Sequence, residues 1–132
     1  MTSSSKRWLA LAMLASFLAA GIPFWVVPYD KADLPNALWH PGLFVAGIAA
    51  LMVCMSRVAP FWRATVMITL SICGAVLARV MAGIAQDPTS HNLWPFELVI
   101  AFVVGLVAAA PGALAGSVIA RWRPTRTGEA RS

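Results

Sequence analysis

Negative charge is what this chain has least of: five acidic residues stand against ten basic ones, and charged residues of either sign make up only 11% of the sequence. A water-soluble domain of this size needs a far more polar surface, so that class is excluded first. Cysteine is also scarce. Cys54 and Cys73 lie in separate apolar runs, with no Cys-x-x-Cys pair and no His at ligand spacing, so neither a dithiol redox centre nor a Cys/His zinc site is encoded. Along their helices Cys54 falls near one membrane face and Cys73 near mid-depth, too far apart in depth for a disulfide. No glycine-rich phosphate loop follows a strand, no nucleophile elbow is present, and Ser16, Ser71 and Ser117 have no His or Asp at comparable depth. No catalytic residue and no cofactor site is therefore expected. Nothing ionises between Trp8 and Tyr29, which removes the carboxylate that a proton-coupled exporter built on four helices needs in its first span.

What the chain does have is apolar sequence. It is 60% hydrophobic with a mean hydropathy of +0.77, more apolar surface than one aqueous core of 132 residues could hide. The expected partner is lipid, and the expected fold is all-α: an integral membrane four-helix bundle. The net charge of +5 does not point to nucleic acid, because the basic residues sit at the ends of apolar runs instead of forming one patch.

The organising stretch runs from Trp94 to Arg123. It has Pro95 at a helix-opening position, Glu97 in the first turn and no ionisable group from Leu98 to Ala120, and it closes on Arg-Trp-Arg. At ~1.5 Å per residue this exceeds the ~30 Å hydrocarbon core. Three further spans are expected at about 8–27, 41–56 and 60–86, the last span at 94–122, and a mobile basic tail at 124–132. The first follows a basic Lys6-Arg7 start, but its small-residue cleavage pattern is poor and the apolar run continues through Val27, so it reads as a retained helix. Pro23 falls in its last turn. Pro41 opens the second span, and the short Ser56–Pro60 connection predicts that the second and third helices are antiparallel neighbours. Asp87-Pro88 ends the third.

Charges and tryptophans give the topology. Lys6, Arg7, Arg57, Arg63, Arg121, Arg123, Arg126 and Arg131 fall on one side of a four-span arrangement, against Lys31 and the embedded Arg79. The positive-inside rule puts that side, with both termini, in the cytoplasm of a multi-pass cell-membrane protein. Trp8, Trp62 and Trp122 fall at the inner ends, and Trp25, Trp39 and Trp94 at the outer ends, where an amphipathic ring is most stable.

Two features bear on function. Small residues recur along one face of the fourth helix, at Ala101, Gly105, Ala108, Gly112 and Gly116, predicting close helix packing. The same face is where a second copy or a larger membrane complex would be expected to dock. On the third helix, Thr65 and Thr69 read as hydroxyls bonded back to their own helix. The second feature is a charge cluster at the outer side: Arg79, Glu97, Asp87 and His91. An Arg79–Glu97 pair would tie the third helix to the fourth; the same residues could instead line a small transporter or channel site. A divalent metal held by the outer carboxylates and histidines, including Asp30, Asp33 and His40, has no supporting spacing and ranks last. The leading expectation is a non-enzymatic small polytopic membrane protein, an accessory or self-associating subunit.

Overall fold

The computed structural model describes residues 2–28, 41–89 and 93–124. They form four α-helices: α1 (Ser3–Val26), α2 (Pro41–Met55), α3 (Phe61–Gln86) and α4 (Trp94–Trp122). Three of them, α1, α3 and α4, are long and apolar enough to cross a membrane; α2 is a shorter apolar helix of 15 residues. The boundaries follow local chemistry. Pro41 opens α2, Pro95 sits in the first turn of α4, and α3 stops at Gln86 ahead of Asp87-Pro88. Helix α1 begins at Ser3, earlier than its apolar run, because the Thr2 hydroxyl accepts the Ser5 amide at 3.2 Å and so caps a polar first turn. The expected tail falls almost wholly outside the described residues, as do Trp39 and the first loop.

Ile68, Ile72, Val76 and Val80 of α3 are buried at the centre, but the other helices turn mainly small residues inward. Ala46, Ala50, Ala64, Ala109 and Ala113 are fully enclosed, whereas Phe44 is 77% exposed and Leu14, Ile48, Val103 and Leu114 are all more than half exposed. Small residues at helix contacts and many large apolar residues left outside is the arrangement expected when lipid is the solvent.

Going round the bundle, the helices follow the order α1, α2, α4, α3, each packed extensively on the next. Helices α2 and α3 touch only lightly across the diagonal, so the short connection does not join principal neighbours as its length alone predicts. A five-residue link reaches ~16 Å, enough for a diagonal when glycines draw neighbouring helices together.

The most extensive contact is between α2 and α4, which run parallel and approach closely. A Cβ on Gly112 would lie 2.8 Å from the Gly47 carbonyl carbon, and one on Gly116 3.0 Å from the Leu51 carbonyl carbon. Gly105 turns instead to α3, where a Cβ would meet Thr69 Cγ2 at 3.0 Å. Gly105, Gly112 and Gly116 of the small face of α4 thus pack on α2 and α3 of the same chain. Helix α4 also continues through Pro111 without a break.

A second close approach joins α1 to α2. Pro23 has no N–H, so the Ala19 carbonyl loses its normal helix donor. Gly42 of α2 packs directly on that carbonyl, where an added Cβ would stand 2.6 Å from the Ala19 carbonyl carbon.

Candidate functional site

Arg79 is half-buried on α3, about two turns from its C-terminal end, level with the end of α1. Its guanidinium donates to the Phe24 carbonyl through Nη1 and to the Val27 carbonyl through Nη2 at 2.7 Å. Both acceptors lie at the C-terminal end of α1, where carbonyls lack helix partners and carry the negative end of the dipole. The same guanidinium lies over the Phe24 ring, 4.4 Å from its centroid. The lock is reciprocal: Trp25 of α1 donates its indole Nε1–H to the Ala75 carbonyl of α3 at 2.9 Å. Trp25 is held in turn by edge contact with Phe17, ring centroids 5.5 Å apart.

Of the residues expected to cluster with Arg79, Glu97 is half-buried in the first turn of α4 and acts on the guanidinium by Coulombic attraction. Two hydrogen bonds from Arg79 run to α1. Asp87 is exposed in the turn after α3, where its Oδ1 accepts from the Thr89 amide at 3.0 Å and the Thr89 hydroxyl at 2.7 Å. Those two bonds hold its carboxyl below the usual carboxylate range. His91 lies outside the described residues, as do Asp30, Asp33 and His40. Among the described residues no three His, Cys, Asp or Glu side chains gather closely enough to hold a metal ion. An open cleft of about 520 Å³ adjoins Arg79, lined by Trp25, Val27, Ala82, Gly83 and Gln86.

A matching arrangement at the opposite end of the bundle was not anticipated from the sequence. Arg57 sits in the α2–α3 connection with φ 55°, a left-handed conformation that glycine usually occupies. The Arg57 amide bonds Cys54 O and the Val58 amide bonds Val53 O, both at 3.0 Å, so α2 ends in a Schellman turn. From there Arg57 Nη2 donates to the Ala120 carbonyl at 2.6 Å and the Arg123 carbonyl at 3.3 Å. Each arginine therefore caps the C-terminal carbonyls of a helix other than its own: Arg79 that of α1, Arg57 that of α4.

The hydroxyls are largely turned inward to their own backbones. Ser16 donates to Ala12 O, Thr65 to Phe61 O, Ser71 to Ile68 O and Ser117 to Ala113 O. Thr69 departs from the expectation: its buried Oγ1 has no hydrogen-bond partner, while its methyl faces Gly105. Cys54 is buried near Ser117, and both cysteines are free thiols. In lining and chemistry this is an apolar, all-helical assembly with three helices able to span a membrane. Compared with known proteins, the chain matches no family model, no curated protein and no solved structure.

Proposed function

We propose that the chain is a four-span integral protein of the cell membrane, with both termini cytoplasmic, acting as a non-enzymatic accessory subunit. The observation that carries this reading is how Arg79 and Arg57 are used. Each contributes hydrogen bonds to helix-end carbonyls, and for Arg79, inside α3, this is a structural use of a charge that is costly at membrane depth. The back-bonded hydroxyls agree, since a polar transport path needs groups aimed into a lumen. The four-span topology draws support from the tryptophans: Trp8, Trp62 and Trp122 lie exposed at one end, and Trp25 and Trp94 at the other. Self-association, or docking into a larger membrane complex, belongs to the same reading and runs through α4, whose exposed side carries Val99, Val103 and Leu114.

The second reading is a small transporter or channel with an outer site around Arg79 and Glu97, favoured by the open cleft beside Arg79. Stability and oligomeric state in detergent and in lipid, for the native protein, Arg79→Ala, Glu97→Gln and the double variant, separate the two. The accessory reading expects Arg79→Ala to destabilise and the double variant to be no worse than Arg79→Ala alone. Variants that fold and assemble like the native protein would sink it and turn the work to flux measurements.

A further inference from the structure

The α1–α2 pair is closed at one end and open at the other. Gly42 seats on the Ala19 carbonyl at the closed end. Towards the start of α1 the two helices part around a cavity of about 630 Å³. Its inner walls are apolar, formed by Leu11 and Ala15 of α1 and Met52 and Val53 of α2. Its mouth is lined by hydroxyls from Ser4, Ser5 and Ser56, with the exposed Trp8 ring alongside. A cleft that is apolar within and polar at its rim matches one acyl chain and its headgroup.

Charge decides which headgroup. The cleft mouth shares its end of the bundle with Lys6, Arg7, Arg57, Arg63, Arg121 and Arg123, whereas the two described acids, Asp87 and Glu97, lie at the opposite end. Lys6 and Arg7 do not line the cleft but are exposed on the same turn of α1, so their charge acts on the mouth from beside it. Within that first turn the Ser5 amide is already engaged by the Thr2 hydroxyl, and the positive charge near the mouth is that of side chains. We infer that the α1–α2 cleft is a seat for one anionic phospholipid, its phosphate held at the Ser4/Ser5/Ser56 mouth in the field of Arg7 and Lys6 on the adjoining faces of the same turn, and its chain laid along Leu11, Ala15 and Met52. The inference rests on the membrane-spanning reading above.

The test uses the full chain reconstituted in bilayers, checked for resistance to alkaline carbonate extraction, then released into detergent for native mass spectrometry with phosphatidylglycerol or phosphatidylcholine of the same acyl chains. The native protein is expected to retain one phosphatidylglycerol with a preference on the order of thirtyfold, the size that two cations at a lipid surface supply. Lys6→Gln with Arg7→Gln should bring the two lipids near parity, and Ala15→Leu, which fills the cleft from an exposed position, should lower retention of both. Equal retention of the two lipids by the native protein, or either variant behaving like it, overturns the seat while leaving the membrane reading intact. Extraction by carbonate overturns both.

Discussion

Arg79 and Phe24 are joined twice, once through backbone and once through side chain: the guanidinium donates to the Phe24 carbonyl and lies 4.4 Å from the centroid of the Phe24 ring. A flat, forked cation can do both at once, and an ammonium cannot. Arg79→Lys should therefore recover only part of what Arg79→Ala loses. The loss is expected at about 2–3 kcal/mol, the size of a charge-assisted hydrogen-bond pair, read as unfolding free energy in mixed micelles. Full rescue by lysine would mean that charge alone is needed there.

Arg57 allows a sharper comparison, because its backbone and side chain act in opposite directions. Its left-handed conformation costs ~1 kcal/mol that glycine would avoid, while its side chain stabilises the end of α4. Arg57→Gly should fall close to the native stability, and Arg57→Ala, which loses the hydrogen bonds and keeps the strain, should be lower by about 1 kcal/mol. Equal stability of the two variants would show that the left-handed turn is relaxed without glycine.

The glycines are not equivalent, although they look alike in sequence. Gly112→Ala would push a methyl into the backbone of Gly47 and should cost about 1–3 kcal/mol. Gly74→Ala meets only the Phe17 ring at 3.6 Å, an ordinary contact, and should stay within about 0.5 kcal/mol of native. Thermal denaturation of the two variants in one detergent checks the ranking.

Asp87 gives a pH-dependent signal outside the spans. Its carboxyl is held below the ordinary value of 3.8 by the Thr89 hydroxyl first and the Thr89 amide second. The folded-state value is the depressed one, so the contribution of the turn is fully present above 3.8 and is lost as pH falls through the lower, folded-state value. Amide hydrogen exchange at Thr89 should quicken across that acid window relative to neighbouring amides, and Asp87→Asn should abolish the pH-dependent part of the change.

Element positions were readable from sequence because their signals are local. Pro41, Pro95 and Asp87-Pro88 act on the backbone next to them, and the structure places helix ends there. Neighbour relations were not readable. A helix that is apolar all round has no stripe to say which side turns inward, so the length of the Ser56–Pro60 link was the remaining guide, and it pointed to α3 where α2 chiefly packs on α4. The candidate site was legible by half. Arg79 stands out as the one charge in α3 beyond its first turn, yet its partners Phe24 O and Val27 O are backbone carbonyls, which leave no trace in residue identity. The available sign was the end of the apolar run at Val27, where the last carbonyls of α1 run out of helix donors. Arg57 gave no sign at all, because a left-handed arginine where glycine is usual cannot be read from its name.

The parallel α2–α4 contact also constrains how the chain is made. Synthesis delivers α2 early, but Gly112 and Gly116, which accept its Gly47 and Leu51 backbone, are more than fifty residues downstream. Helix α2, the shortest of the four, must wait beside α1 until the last helix emerges. A ribosome stalled before residue 112 would leave an intermediate whose weakest segment lacks its main neighbour, and membrane proteolysis would find that intermediate first.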